Sequence, residues 1–362
     1  ARDERQVDLR EAHGHLALVA LVLEDVVESG RGGVASCGDV ALNRIETRVV
    51  DTPAFQRLRH IRQLGAACWV YPTALHTRFD HSLGTLEMTR RMIQALRDNV
   101  HYPDAWRRVS VEQEQLARLF ALLHDISHVP FGHTVEDECG VFKRHDGDRS
   151  RIEYFLGRDS TIGRLLLEGI GEEMYERLLA LFLAAAGVSV DLGEDHFILD
   201  LITGTICADL LDYLQRDAWF CNLSIDTDYR FLRHLAIVPH KRRRRLVIQL
   251  WKDGAAQPRR DVLNELIRLL DNRYLLGERV YFHHAKLVTG AMIGGAVARA
   301  VQEGDLTRED LLTMGDDVLL WQLGRSRVPA VARLAQALAA RAIWKTVYVR
   351  THQTVVAEQQ AW

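Results

Sequence analysis

The sequence predicts a mostly helical fold carrying one small β-hairpin, on three observations. Apolar residues recur at helical spacing through most of the 362 residues, alternating β patterns are short and few, and only seven prolines interrupt the run. A chain of this length buries a substantial core without staples, either as one large domain or as a core with a helical extension. Ser29-Gly30-Arg31-Gly32-Gly33 reads as a flexible loop near the start. Ser110 and Gln113 form a capping-box pattern ahead of Leu116, Leu119, Phe120 and Leu123, so a helix begins there and runs into His124-Asp125. A second long helix is expected from near His196 to just after Asp217, turning Ile198, Leu199, Ile202, Ile206, Leu210 and Leu214 inward. His234 to Val238 and Leu246 to Trp251 read as the strands of the hairpin, with the basic run Lys241 to Arg245 at its tip. From Asp305 onward, Thr307 and Asp310 in a capping pattern announce further helices.

Composition narrows the function classes. Forty-six Lys and Arg against 49 Asp and Glu leave a formal charge of -3, so nothing global favours nucleic acid and an anionic ligand must be held locally. No stretch approaches the roughly 20 apolar residues that cross a bilayer, and Ala1-Arg2-Asp3-Glu4-Arg5 is not a signal peptide, so a soluble protein is expected. The cysteines Cys37, Cys68, Cys139, Cys207 and Cys221 lack CxxC spacing, which argues against a zinc ribbon or a disulfide framework and places the chain in a reducing cytoplasm. Five adjacent cations at the hairpin tip read as a solvated turn rather than a binding groove. Trp219, Phe220, Trp321 and Trp344 read as core.

The segment Ala121 to His128 sets an imidazole beside a carboxylate in an apolar helix, where both are expensive to bury unpaired. A divalent cation would satisfy them, because neutral imidazole nitrogen and carboxylate oxygen together suit Mn, Fe, Co, Ni or Zn. An isolated His-Asp dipeptide is common, however, and alone carries little. His81 and Asp209, each beside an apolar helical stretch, are placed to complete such a site.

Three blocks decide between these readings: Asp51-Thr52-Pro53-Ala54-Phe55-Gln56-Arg57-Leu58-Arg59-His60-Ile61-Arg62-Gln63-Leu64-Gly65, then His76-Thr77-Arg78-Phe79-Asp80-His81-Ser82-Leu83-Gly84, then His124-Asp125-Ile126-Ser127-His128-Val129-Pro130-Phe131-Gly132-His133. In order and spacing they resemble the HD-domain dNTP triphosphohydrolases. Asp209 to Asp217 and Arg273 to His284 extend the resemblance, which runs from about Gly38 to about Tyr348. It implies an HD-domain helical core over 38–220, preceded by an N-terminal segment at 1–37. It also implies a hairpin and C-terminal helical region over 221–362 that completes the active site.

The resemblance implies that His81, His124, Asp125 and Asp209 hold a divalent transition metal or Mg. His133 matches the proposed general acid, with Glu136 where the family commonly has an aspartate to orient it, and His128 and His145 match other phosphate-side histidines. Arg78 and Arg273 match arginines that clamp the phosphate chain, a task suited to the guanidinium fork. Gln63 and Leu64 match residues against sugar and base, Tyr281 an aromatic wall, and Tyr213 and Asp217 the border of the deoxyribose. Asp209, Tyr213, Arg216 and Asp217 stand at i, i+4, i+7 and i+8 and should share one helix face. Leu210 and Phe282 depart from relatives that place a phosphate-binding lysine and a sugar-reading glutamine there. The implied substrate is a nucleotide and the implied assembly a homo-oligomer. Nucleic acid and membrane are not expected as partners.

Overall fold

The computed structural model describes residues 40–251 and 256–345, and the glycine-rich stretch Ser29 to Gly33 lies outside them. Among the described residues the architecture is helical with one two-stranded sheet. The helices before the sheet are α1 (Arg44–Val50), α2 (Pro53–Gln56), α3 (Arg78–Asp98), α4 (Val111–Leu123), α5 (Arg149–Leu156), α6 (Thr161–Ala185), α7 (His196–Thr203) and α8 (Ala208–Phe220). After the strands β1 (Leu235–His240) and β2 (Arg243–Ile248) come α9 (Arg260–Leu276), α10 (His284–Gln302), α11 (Asp316–Gly324) and α12 (Pro329–Ala339).

Local chemistry sets the helix starts as the sequence indicates. The Ser110 hydroxyl accepts from the Gln113 N–H while the Gln113 side chain accepts from the Ser110 N–H, so two orphan donors are satisfied and α4 begins. Thr77 and Asp80 cap α3 in the same reciprocal way, which fixes the first turn that carries Arg78 and His81. Thr307 and Asp310 exchange capping bonds too, and a short 3-10 turn follows before α11.

The expected single helix from His196 to Asp217 is two helices. The chain leaves helical geometry at Gly204, whose ψ is 179°, and re-enters it after Cys207, which is extended at φ -141° and ψ 170°. A side chain at Gly204 would strike the Asp200 carbonyl, so the glycine permits the tight exit. Ile198 and Ile202 remain buried on α7, and Leu210 and Leu214 on α8, so the apolar period continues across a break that it does not reveal.

The hairpin is antiparallel, pairs Leu235 with Ile248 through His240 with Arg243, and turns at Lys241–Arg242. Its basic run is only partly a solvated tip. The Arg245 guanidinium donates to Asp200 of α7 at 2.7 Å, and Arg244 lies 5.3 Å over the Phe197 ring, so these two fasten β2 to α7. The tryptophans correct a second expectation: Trp219, Trp321 and Trp344 are exposed, and Phe220 is half-buried, stacked on His76.

Buried side chains form two apolar clusters. The larger joins α1 to α9 and the base of the hairpin through Phe55, Phe79, Phe120, Phe197 and Leu214. The smaller is built on α10, α11 and α12 and takes in Ala66, Val129, Phe131 and Val135. One cavity of about 510 Å³ opens among α3, α4, α8 and the segments around 63–67 and 124–146.

Candidate metal centre and phosphate-side cavity

Four acidic and imidazole side chains meet at the cavity floor from three elements. His81 projects from the first turn of α3, His124 and Asp125 follow the last turn of α4, and Asp209 stands in the first turn of α8. His81 Nε2 lies 3.0 Å from Asp209 Oδ1 and 3.2 Å from His124 Nε2. Asp125 stands slightly back, with Oδ1 3.5 Å from His124 Nε2 and Oδ2 3.7 Å from His81 Nε2. Ligands about 2.1 Å from one ion lie roughly 3 Å apart when adjacent, which matches this spread.

The second nitrogens support the same reading. His81 Nδ1 is 2.8 Å from Asp212 and His124 Nδ1 is 2.7 Å from the Ala121 carbonyl, so each ring keeps its proton on Nδ1 and turns an Nε2 lone pair inward. Two lone pairs facing each other beside two carboxylates repel unless a positive charge sits among them. Burial lowers the His81 pKa, yet hydrogen bonds to Asp209 and Asp212 outweigh that and raise it to about 10, so without an ion a proton occupies Nε2 and supplies that positive charge. The surroundings therefore stabilise a cation at this point, and the donor set of two nitrogens and two carboxylates fits a divalent metal.

Beside the floor stands a buried imidazole cluster. His128 and His145 stack with ring centroids 3.5 Å apart, and their Nδ1 atoms lie 3.4 and 3.3 Å from Glu136 Oε2. Their Nε2 atoms lie 3.3 and 3.5 Å from Asp125 Oδ1. Burial, together with the nearby Arg78 charge, drives His128 down to about 3, and burial also lowers His145, so His128 is neutral at neutral pH. Glu136 is held well below the carboxylate range despite its burial, because both imidazoles surround it, and its Oε1 accepts from Arg151 at 2.7 Å.

His133 is the half-exposed imidazole of this group, and its nearest carboxylate is Asp137. Nδ1 is 3.1 Å from Asp137 Oδ1 and 3.9 Å from Glu136 Oε2. Glu136 orients His145 instead and lies beside His128, since its buried oxygens are engaged by His145 and Arg151. The carbonyls of the segment between are fastened by arginines: Arg57 donates to Ile126 and His128, and Arg151 to Ser127.

Gln63, Leu64, Arg78, Tyr213, Asp217, Arg273 and Tyr281 all line the same cavity as the four floor residues, whereas His128 and Glu136 do not. Arg78 donates to Asp125 Oδ2 at 2.5 Å, and Arg273 is exposed at the rim. Asp217 accepts from His76 at 2.8 Å and from the Tyr281 hydroxyl at 2.7 Å. Burial and that carboxylate together push the Tyr281 phenol far above its usual range, so it stays protonated and donates to Asp217. Arg216 departs from the expected shared face: it turns to Asp212 on its own helix, at 2.7 Å, and both are buried. Sequence reading passed over His76 and Asp212. Asp212 was within reach, as a carboxylate three residues after Asp209 in the same amphipathic helix.

Comparison with known proteins agrees with this geometry. Residues 78–217 match the HD domain and residues 266–361 match the HD associated region. The chain resembles the HD-domain phosphohydrolase superfamily. An uncharacterized protein of Methanocaldococcus jannaschii is 30% identical over 291 residues, covering 78% of this chain and 52% of that protein. A deoxynucleoside triphosphate triphosphohydrolase SAMHD1 homolog of Dictyostelium discoideum is 26% identical, covering 70% and 46%. The crystal structure of a hypothetical protein from Aquifex aeolicus superposes with a TM-score of 0.69 at 27% identity, covering 90% of this chain and 79% of that one. The chain spans about half the length of the curated relatives it matches. The HD domain thus contains every residue proposed to hold the metal, and no helix among the described residues is long and apolar enough to cross a membrane.

Proposed function

We propose that this HD domain hydrolyses (deoxy)nucleoside triphosphates to nucleoside and triphosphate, with a divalent cation held by His81, His124, Asp125 and Asp209. The observation that carries it is the division of one cavity: metal-binding floor, imidazoles and arginines on one side, tyrosines with Asp217 on the other. When bound, such an ion would polarise a phosphoryl oxygen and lower the pKa of water from 15.7 toward ~7. Arg78 and Arg273 take the phosphate oxygens. Neutral His128 and His145 donate or accept hydrogen bonds there without adding charge. Tyr213 and Tyr281 wall the sugar and base with Gln63 and Leu64, and Asp217 accepts from a sugar hydroxyl. Water adds to the α-phosphorus, the bond to the 5′ oxygen breaks, and His133 delivers the proton that this oxygen needs.

The test is product identification by chromatography after incubation with a nucleotide panel in Mn, Co or Mg. Nucleoside with intact triphosphate is expected; no nucleoside under any metal sinks the reading. The role of His133 is separable. His133→Gln should slow nucleoside release about 10²- to 10⁴-fold yet spare an ester of nitrophenol, whose leaving group needs no acid.

A second reading, a phosphatase for nucleotide or other monoesters, is favoured by one observation. Of the cavity's four cationic side chains, Arg78 is paired with Asp125, Arg144 with Asp146 and Lys286 with Glu138, while Leu210 adds no charge. That balance suits a smaller anion. Stepwise inorganic phosphate in place of triphosphate would select it. The same resemblance leads us to propose a cytoplasmic homo-oligomer, which sedimentation of the purified chain tests.

A further inference from the structure

We propose that Asp316 is a positioning residue: as the first residue of α11 it clamps together the three segments that carry Gln63, Arg78 and His133, and so sets the phosphate-side wall of the cavity. The inference rests on the phosphohydrolase reading for its kinetic consequence and on geometry alone for its structural one.

Two separate segments of the chain converge on this carboxylate, and one of them holds a third. Oδ1 accepts from the Phe131 N–H at 2.7 Å, and Oδ2 accepts from the Arg62 N–H at 3.0 Å and from Arg62 Nη1 at 3.5 Å. Arg62 is in turn bridged to Thr77, with the Gln63 N–H donating to the His76 carbonyl and the Arg78 N–H to the Ile61 carbonyl. Gripping Arg62 therefore fixes the start of α3, where Arg78 stands.

Phe131 is the more telling partner. It lies in the left-handed region at φ 61°, and Gly132 follows at φ 45°. A non-glycine residue holds such a conformation only where its surroundings over-determine it. Gly132 backs directly onto Arg78, since a Cβ there would sit 2.8 Å from the guanidinium. The turn at Gly65 abuts the same loop, because a Cβ there would lie 2.7 Å from Thr134 Oγ1. The clamp thus decides where the loop delivers His133, one residue beyond Gly132.

Holding a buried carboxylate for this purpose is costly to the fold, since desolvation penalises the charged form. Burial raises Asp316 to about 6, against the opposing pull of the Arg62 and Phe131 N–H groups. The charges facing it are Arg62, Arg57 and Asp317, with Cys68 also within electrostatic reach, and His60 packs against Gly315 just before it. None neutralises it fully. An apolar side chain would leave the Phe131 and Arg62 N–H groups without an acceptor, and an amide has one oxygen for the two, so a carboxylate here fits a positional task.

The experiment compares Asp316→Asn with Asp317→Asn, whose exposed carboxylate touches Arg62 alone and stands outside the clamp. An amide offers one oxygen to two backbone donors on opposite sides. Asp316→Asn should lower kcat about tenfold or more with unchanged bound metal, as a misplaced loop does. It should also erase a fall in wild-type kcat below about pH 6. Asp317→Asn should keep the wild-type kcat at neutral pH and move the acid fall to lower pH, since the Asp317 charge helps to raise Asp316. Hydrogen exchange supplies the arm that needs no substrate: protection of residues 129–134 in the unmodified protein should weaken below the same pH and weaken in Asp316→Asn at neutral pH. Wild-type protection that is flat with pH, or a kcat for Asp316→Asn equal to that of Asp317→Asn, overturns the proposal. Failure to find any turnover would sink the phosphohydrolase reading while leaving the exchange result to decide the clamp.

Discussion

Asp212 fixes the ring of His81 from behind, at 2.8 Å from Nδ1, and shares its other oxygen with Arg216 at 2.7 Å. Burial raises its pKa, but the Arg216 charge and the His81 bond hold it well below the usual carboxylate range, so it is an anion at neutral pH. A carboxylate behind a ligating imidazole both selects the tautomer and makes the facing nitrogen more basic. Asp212→Asn keeps an oxygen for the Nδ1 proton but loses the charge. Metal affinity should fall about 10- to 100-fold, read by chelator competition on the purified protein. Wild-type affinity would show that His81 needs no such support. At this scale the sequence is legible where chemistry is conspicuous: His124-Asp125 stands out as two polar groups in an apolar run. His81 and Asp209 become readable only through the resemblance, because nothing local marks one histidine or aspartate among many. Asp316 is not readable at all. It lies 185 residues from Phe131, and an aspartate at a helix start has an ordinary meaning as favourable charge near the N-terminal dipole.

Between α3 and α8 the helices approach through Gly84, three residues after His81. A Cβ there would lie 1.9 Å from Asp212 Oδ1 and 2.3 Å from Arg216 Nη2, both already pinned by their mutual ion pair. Helix propensity favours alanine over glycine by ~1 kcal/mol, so an exposed helical glycine replaced by alanine should stabilise. Gly295 in α10 meets nothing within 4 Å and is the control for that gain. Gly84→Ala should instead destabilise by about 1–3 kcal/mol, through overpacking, and shed metal as Asp212 is pushed off His81. Urea denaturation of both variants, with metal content measured alongside, tests the opposite signs. A stabilised Gly84→Ala would mean that the two helices can separate without loss. Element starts were legible from capping residues such as Ser110 and Thr307, because a cap acts within four residues. The break between α7 and α8 was not. Apolar spacing continues across Gly204, and the exit depends on an extended Gly204 backbone that composition does not disclose.

Across the whole molecule, Asp316 lies at the seam between the two apolar clusters, reaching Arg62 on the side of the larger and Phe131 within the smaller. The sign of its contribution to stability follows from its raised pKa, about 6 against the ordinary 3.8 of an aspartate. The folded state binds its proton more tightly than the unfolded chain does. Stability from this group is therefore fully present below about pH 4 and is lost as pH rises to about 6. The loss is roughly 3 kcal/mol at 1.36 kcal/mol per pH unit. Carboxylates such as Asp125 and Glu136 act in the opposite direction, because their folded pKa values are depressed and acid removes their contribution. The two effects overlap in any single unfolding curve, so the comparison must be between proteins. The stability difference between wild type and Asp316→Asn, from urea denaturation at pH 4.5 and 7.5, isolates the one group. Wild type should lose ground relative to the amide as pH rises, even though its loop is better held at the higher pH. A difference that does not change with pH would mean that Asp316 stays ionised throughout, and that its carboxylate is satisfied at the seam without cost.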